Sequence, residues 1–240
     1  RFSAMLDSAS QITIIDRELA QQLELNISAD SIQFNETRCP LTLLDTLHLG
    51  DAKYVNVVCA VLPLREVGVT DCSMILGNDM LCLFPEIELD YEHCRLHLRS
   101  QYDILPNTPQ NLMFNKVPYI QAKIDGLPST ILWDTGSNKS SIEPHFYNAY
   151  RDQLPVTSKH GRKRGKTATG KTSKLKYSIL PHMNLTIGDL TGGMKDVYMI
   201  EDMPHAELMS VPFDATLGAV PPVEFKRLTI NFREMYFIVR

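Results

Sequence analysis

The feature that most constrains the fold is an internal repeat. An apolar run that ends in Asp, a hydroxyl residue, a small residue and Ser occurs twice, in Ala4–Ser10 and in Ile131–Ser137. The two Asp residues are 127 positions apart in a chain of 240, about half its length. Two further landmarks recur in the same order: Leu47–Asp51 with Leu185–Asp189, and Ile75–Gly77 with Thr216–Gly218. The repeat predicts two similar halves produced by duplication.

Alternation of apolar and polar residues predicts β-strands in both halves. Tyr119–Ile124 alternates, Asp125–Gly126 is a turn signal, and Thr130–Trp133 is a short apolar strand. Paired alternating runs also predict a hairpin near the end of each half, in Ile87–Leu98 and Leu228–Val239. Helical pattern is limited, and a short helix is expected after each Asp motif, at Asp16–Leu23 and Glu143–Tyr150. The sequence therefore predicts an all-β protein with a few short helices.

The repeat also suggests where the domains begin and end. We expect an N-terminal lobe at 1–103, a linker rich in Pro, Asn and Gln at 104–116, and a C-terminal lobe at 117–240. A strand, a turn and a second strand precede Asp134, but only six residues precede Asp7. The first hairpin of the N-terminal lobe is therefore expected to lie upstream in a longer chain or to be replaced by another segment, since otherwise a strand edge is left open.

Composition and cysteine spacing exclude several classes of protein. A net charge of −4 argues against a generally nucleic-acid-binding surface. No apolar run reaches the ~18–20 residues that a membrane-spanning helix needs. The cysteines are five, an odd number, and none forms a C-x-x-C pair, so neither a disulfide framework nor a structural zinc site is expected. They are expected to be free thiols, with a Cys72–Cys82 pair as the alternative. We expect no metal and no cofactor.

Two carboxylates that meet face to face have a specific chemistry. Asp7 and Asp134 could not both ionise cheaply, so they would share one proton. The ionised carboxylate could then take a proton from water while the protonated one polarises a carbonyl group, which is general acid–base hydrolysis. The hydroxyls of Ser8 and Thr135 could bond across the junction, and Gly136 would let backbone N–H groups approach closely. Two buried Asp residues that only cap turns are the structural alternative.

These motifs resemble those of the aspartic proteases, the pepsin and retropepsin group. Trp133–Ser137 is similar to the family signature, and Met5–Ile15 resembles its retroviral form. Ile75–Gly77 and Thr216–Gly218 resemble the apolar-apolar-Gly element whose strand passes behind each catalytic loop. The resemblance covers nearly the whole chain, and lobes of this size are closer to retropepsin than to pepsin.

The resemblance implies a bilobal pepsin/retropepsin-like acid protease fold made of two duplicated β lobes. It implies an aspartic endopeptidase, a hydrolase acting on a peptide or protein substrate, with Asp7 and Asp134 as catalytic residues. Its dyad-supporting residues would be Ser8, Ala9, Ser10, Thr135, Gly136 and Ser137, with Gly77 and Gly218 near the substrate. The chain would be a monomer whose lobes form an internal pseudo-dimer, and export to the periplasm or secretion is favoured.

One residue departs from the family pattern. Ala9 stands where the family has Gly, so its methyl group could crowd the catalytic loop or require a backbone conformation that Ala tolerates poorly. The alternative function is therefore a catalytically weakened peptide-binding or regulatory protein of the same fold.

The basic segment Lys159–Lys176 contains eight Lys or Arg residues and no acidic residue. Within it, Gly165–Thr172 fits the phosphate-loop pattern G-x-x-x-x-G-K-[ST]. No strand is predicted over Ser158–Arg164 and no helix after the pattern, so nucleotide binding is not expected. The segment lies where the family has its flap hairpin, and we expect Arg162, Lys163 and Arg164 to recruit acidic substrates. A solvated loop, or one docked on the acidic remainder of the protein, is the alternative, with nucleic acid or an anionic membrane less favoured.

Overall fold

The protein is strand-rich, as the alternation predicts. The computed structural model describes residues 1–34, 37–66, 68–166, 172–201 and 211–240. Within them the first half contains β1 (Ala4–Leu6), β2 (Ile14–Asp16), α1 (Arg17–Gln22), β3 (Ile27–Phe34), β4 (Thr37–Leu49), β5 (Ala52–Leu62), β6 (Met74–Leu76), α2 (Asn78–Leu81), β7 (Glu86–Asp90) and β8 (Arg95–Arg99). The second half contains β9 (Leu112–Asn115), β10 (Val117–Ile124), β11 (Leu127–Trp133), β12 (Ser141–Ile142), α3 (Pro144–Tyr150), β13 (Lys159–Lys166), β14 (Thr172–Ile187), β15 (Leu190–Ile200), β16 (Ala215–Leu217), β17 (Arg227–Asn231) and β18 (Tyr236–Val239).

The first sheet has the strand order β1-β6-β2-β5-β4-β3. Strand β1 runs parallel to β6, with Met5 opposite Ile75, and β6 runs antiparallel to β2. Met74 and Leu76 face a buried apolar cluster with Ile15. Ile75 faces the opposite side of the sheet, in a second cluster. The first sheet therefore has a buried apolar cluster on each face, and the cluster that contains Ile75 also includes residues of β3 and β4.

The second sheet repeats this arrangement within the order β13-β14-β15-β12-β16-β11-β10-β9. Strand β11 runs parallel to β16, with Leu132 opposite Thr216, and β16 runs antiparallel to β12. Strand β10 covers the other edge of β11 through a hairpin whose turn residues, Asp125 and Gly126, have φ of 46° and 84°. In the part of the chain that the structure describes, the corresponding edge of β1 has no strand partner.

A third sheet joins the two halves, in the order β18-β17-β7-β8. Strand β17 runs antiparallel to β7, with Ile230 opposite Ile87 and Asn231 opposite Glu86. Ile87, Ile230 and Phe237 are almost fully buried in the largest apolar cluster of the protein. Residues from both halves therefore share one core, and the sheet fixes how the halves are oriented.

Most of the predicted secondary-structure elements are confirmed, and one secondary-structure prediction is wrong. The two late hairpins, the β10–β11 hairpin and both helices after the Asp motifs are present. Ser158–Arg164, however, was expected to contain no strand, and β13 occupies Lys159–Lys166. It forms because it pairs with β14 along its whole length, with Gly161 opposite Tyr177, and such long-range pairing overrides weak local propensity. After the phosphate-loop pattern the chain continues as strand β14, and residues 167–171 of the segment lie outside the described residues.

The structure also describes the segment expected to be a linker and the two cysteines Cys72 and Cys82. Within the segment expected to be a linker, Leu112–Asn115 forms β9 and pairs with β10. Cys72 and Cys82 are free thiols, so the alternative of a disulfide between them is excluded.

Candidate active site

Each Asp motif is held at the end of a strand by the parallel strand beside it. Asp7 follows β1, and its N–H donates to the carbonyl oxygen of Leu76 at 3.0 Å. Asp134 follows β11, and its N–H donates to the carbonyl oxygen of Leu217 at 2.9 Å. The short apolar runs before each Asp therefore serve to place two carboxyl groups at equivalent points of the two sheets.

Backbone N–H groups orient both carboxyl groups in the same way. The N–H groups of Ala9 and Ser10 donate to Oδ1 of Asp7 at 2.9 and 3.1 Å. The N–H groups two and three residues after Asp134 donate to its Oδ1, also at 2.9 and 3.1 Å. One oxygen of each carboxyl group is thus fixed by the loop, and these donors favour its charged form.

Four hydrogen bonds tie the two loops to each other. The N–H of Ser8 donates to Oγ1 of Thr135, and the N–H of Thr135 donates to Oγ of Ser8, each at 3.0 Å. The Ser8 hydroxyl donates to the carbonyl oxygen of Trp133, and the Thr135 hydroxyl donates to that of Leu6, each at 2.8 Å. Both hydroxyl residues are buried, so water does not compete with these bonds.

The two loops meet so closely that only Gly fits at one position. A Cβ atom at Gly136 would lie 2.5 Å from Cγ and 2.6 Å from Oδ2 of Asp7, far inside van der Waals contact. Ala9 is the equivalent residue in the first half, and it carries a methyl group. Neither residue has a positive φ, so the expectation that Ala is disfavoured there by its backbone conformation is wrong. The difference between the loops is steric.

The two carboxyl groups have unequal affinities for a proton. Burial raises the pKa of Asp7 above its ordinary 3.8, against the opposing effect of the two N–H donors. Burial, together with the negative charge of Asp7, raises the pKa of Asp134 from 3.8 to about 7, against the opposing effect of its two N–H donors. The pKa values of both carboxyl groups are thus raised, as expected where two buried carboxyl groups face each other.

The first third of the chain matches a known protein family. Residues 1–80 match the model of an aspartyl protease family. The family is of the retropepsin-like clan, and the match extends from β1 to α2, including the Asp7 loop and the Gly after β6. No curated protein matches the chain. The match supports the resemblance for the first third of the chain.

The two Gly residues of the protease-like apolar-apolar-Gly elements lie behind the loops. The N–H of Gly77 donates to Oγ1 of Thr13 at 3.2 Å, and that of Gly218 to Oγ of Ser140 at 3.1 Å. A Cβ at Gly77 would lie 2.6 Å from the carbonyl carbon of Ile12, and one at Gly218 would lie 2.8 Å from a loop carbonyl oxygen. The structure places both against the backbone of the loops, and their predicted position near the substrate stays a prediction.

Sequence reasoning missed Asn78, a buried residue that stabilises the Asp7 loop. Its amide Nδ2 donates to the carbonyl oxygens of Ser8 and Lys116, the latter at 3.1 Å, and its backbone N–H donates to that of Ser10 at 2.8 Å. The side chain thereby joins the loop to the residue just before β10. Its position directly after Gly77 is the only signal in the sequence, and nothing there indicates the contact with Lys116.

The basic segment forms a hairpin of β13 and β14, and the register places like charges opposite each other. Arg162 lies opposite Lys176, and Arg164 opposite Lys174, while Lys163 lies opposite Leu175. The side chains of Lys163 and Arg164 lie outside the described residues.

No metal site or membrane-spanning helix is found in the described residues. Within those ranges, no group of three or more His, Cys, Asp or Glu residues could hold a metal ion. Over the same residues, no helix is long and apolar enough to cross a membrane.

Proposed function

We propose that the protein is an aspartic endopeptidase that hydrolyses peptide bonds with a water molecule activated between Asp7 and Asp134. The observation that carries the proposal is the reciprocal contact of the two Asp loops. Ser8 and Thr135 exchange hydrogen bonds, and Gly136 lies against the Asp7 carboxyl group. The aspartyl protease match over residues 1–80 supports the same class of reaction.

The unequal pKa values assign the roles of the two carboxyl groups. Asp7, ionised, takes a proton from the water, whose oxygen attacks the peptide carbonyl carbon. Asp134, protonated, donates its proton to the carbonyl oxygen as negative charge develops there. The tetrahedral intermediate then collapses, the C–N bond breaks, and the departing nitrogen receives the proton taken by Asp7. A hydroxyl proton of the intermediate returns to Asp134, so the pair ends in its starting state.

The proposal includes the two-lobed organisation expected from the sequence. Residues 1–103 and 117–240 would each supply one Asp loop, and 104–116 would connect them. The sheet that joins β7 and β17 supports a monomer that resembles a dimer internally, because each half contributes one hairpin to it. The substrate would be a peptide or protein bound across the junction of the loops.

A second candidate function is peptide binding without efficient hydrolysis. The observation that favours it is Ala9, because the equivalent Gly136 has no room for a methyl group beside Asp7. If the Ala9 methyl group displaces water from the carboxyl pair, the cleft would still bind peptides but turn them over slowly. In that case Ala9→Gly would raise kcat, with little change in peptide affinity.

The decisive experiment is cleavage of an unstructured protein between pH 4 and pH 7 by the wild type, Asp7→Asn and Asp134→Asn. Each substitution should reduce kcat by at least about 100-fold, because a neutral amide cannot replace either the base or the acid. Asp51→Asn, at the turn after β4, is the control and should retain activity. Circular dichroism should show an unchanged fold. Hydrolysis that survives in both Asn variants would exclude the proposal, and added pepstatin should abolish wild-type cleavage.

A further inference from the structure

The residues that follow the two loop-supporting glycines occupy equivalent positions. Asn78 follows Gly77, and its backbone N–H donates to the carbonyl oxygen of Ser10 at 2.8 Å. Ala219 follows Gly218, and its backbone N–H donates to the carbonyl oxygen of Ser137 at 2.7 Å. The backbone contact to the Asp loop is therefore the same in both halves, and only the side chains differ.

The Asn78 side chain adds a donor that the second half lacks. Its Nδ2 donates to the carbonyl oxygens of Ser8 and Lys116. The residue is only 2% exposed, so water does not compete with these bonds. The methyl group of Ala219, at the equivalent position, cannot donate a hydrogen bond.

The orientation of the Asn78 amide is fixed by its two acceptors. Nδ2 has two hydrogens, and one goes to each carbonyl oxygen. Oδ1 is buried and has no hydrogen-bond partner in the described part of the chain, and a rotated amide would press it against both carbonyl oxygens. A buried acceptor without a partner destabilises the fold. The stability of the protein alone therefore does not favour Asn at this position over a smaller apolar residue.

One peptide unit connects the Asn78 amide to the Asp7 carboxyl group. The carbonyl group of Ser8 and the N–H of Ala9 belong to the same peptide unit. Nδ2 of Asn78 donates to its oxygen, and its N–H donates to Oδ1 of Asp7 at 2.9 Å. Donation to a peptide oxygen polarises the unit and makes its N–H a stronger donor. The amide thereby stabilises negative charge on Asp7 without touching it.

The second loop has the same peptide unit without the amide. The N–H of Gly136 donates to Oδ1 of Asp134, also at 2.9 Å. The carbonyl oxygen of Thr135 belongs to that unit, and Ala219 offers it no side-chain donor. The two carboxyl groups thus accept equivalent bonds from peptide units that are polarised to different extents.

We propose that Asn78 is a positioning residue that makes Asp7, rather than Asp134, the carboxyl group of the pair that gives up its proton first. The inference rests on the proposed function, in which Asp7 is the base and Asp134 is the acid. Two identical loops would hold the shared proton equally well on either side. A difference between the halves is therefore needed to assign the two roles, and the Asn78 amide supplies one.

The other charged groups around the first loop do not replace this effect. Asp134 faces Asp7 across the junction and acts on both members of the pair. Asp79, next to Asn78, accepts bonds from the N–H and the hydroxyl of Thr13. Lys116 contributes its carbonyl oxygen, and its side chain is exposed.

The test is a titration of the carboxyl groups in the full chain, labelled with carbon-13 at the Asp carboxyl carbons. The Asp7 and Asp134 signals are assigned by their loss in the corresponding Asn variants. In the wild type, the first titration step of the pair should appear mainly at the Asp7 signal. In Asn78→Ala, which gives the first loop the side chain of the second, the lower apparent pKa of the pair should rise by about 0.5. The acidic limb of the pH profile of kcat/KM should move to higher pH by the same amount.

Two variants separate this role from a loss of stability. Asn111→Ala is the matched control, because Asn111 is also buried and its Nδ2 donates to a backbone carbonyl oxygen, that of Phe237, at 2.9 Å. It should lower the free energy of unfolding and leave the titration unchanged. Ala219→Asn gives the second loop an amide, and it should move part of the first titration step to the Asp134 signal even if Asn78→Ala does not fold. A first step at Asp134 in the wild type, or equal shifts in Asn78→Ala and Asn111→Ala, would overturn the inference.

The outcomes distinguish this inference from the proposed function. Peptide hydrolysis by the wild type together with an unchanged titration in Asn78→Ala would keep the protease and refute the role of Asn78. A shifted titration in a chain that hydrolyses no peptide would refute the protease and support the role of Asn78.

Discussion

Removal of the Thr135 hydroxyl by Thr135→Val is expected to loosen the junction of the two Asp loops. The substitution keeps the shape of the side chain but removes Oγ1, which accepts from the N–H of Ser8 and donates to the carbonyl oxygen of Leu6. Ser8 is fully buried, so no water replaces the lost partner. An unsatisfied buried group costs about 1–3 kcal/mol, and two such groups give a loss of about 2–6 kcal/mol in the free energy of unfolding.

The assay is urea unfolding of the wild type, Thr135→Val and Ser137→Ala. Ser137→Ala is the matched control, because that hydroxyl donates to Lys139 within the same loop at an exposed position, and its loss should cost less than about 1 kcal/mol. Hydrolysis should also fall in Thr135→Val, since the two carboxyl groups are no longer held at one separation. Equal unfolding free energies for the two variants would refute the idea that the crossed hydroxyls hold the loops together.

Three further predictions test the site and the sheet that joins the halves. Because burial raises the pKa of Asp134 from 3.8 to about 7, the folded chain retains a proton that the unfolded chain releases. The free energy of unfolding should therefore fall between about pH 4 and pH 7, by at most about 4 kcal/mol from this group. Urea unfolding of Asp134→Asn should show a smaller fall, and the remainder comes from Asp7, whose pKa is also raised by burial. Gly136→Ala should cost about 1–3 kcal/mol and most of the activity, because the new methyl group meets Asp7; wild-type turnover would contradict the close approach. Tyr236→Phe removes a 2.6 Å hydrogen bond to buried Glu86 and should cost about 1–3 kcal/mol in the same unfolding assay, whereas an unchanged midpoint would show that this bond contributes nothing.

Much of the fold and site could be predicted from local signals. The order of residues around Asp7 and Asp134 predicted two equivalent loops. The pattern, an apolar strand followed by Asp and a hydroxyl residue, consists of adjacent residues and can therefore be recognised in the sequence. The alternating hairpins and the turn at Asp125–Gly126 followed from period-two burial and from the turn residues themselves. The hydroxyls of Ser8 and Thr135 were expected to bond across the junction, and they do so.

The contacts between distant segments could not be predicted in this way. Strand β13 forms because β14 pairs with it, and its own Lys, Arg and Gly residues give no strand signal. Asn78 contacts Lys116 across 38 positions of sequence, and only the folded backbone brings them together.

By itself, the sequence determined the repeated motifs, the all-β class and the two candidate carboxyl groups, because each depends on residues close together in the chain. Only the tertiary structure decided how far the pKa of Asp134 is raised. That outcome depends on how far burial and the charge of Asp7 act on Asp134, and both are set by the packing of one half of the chain against the other.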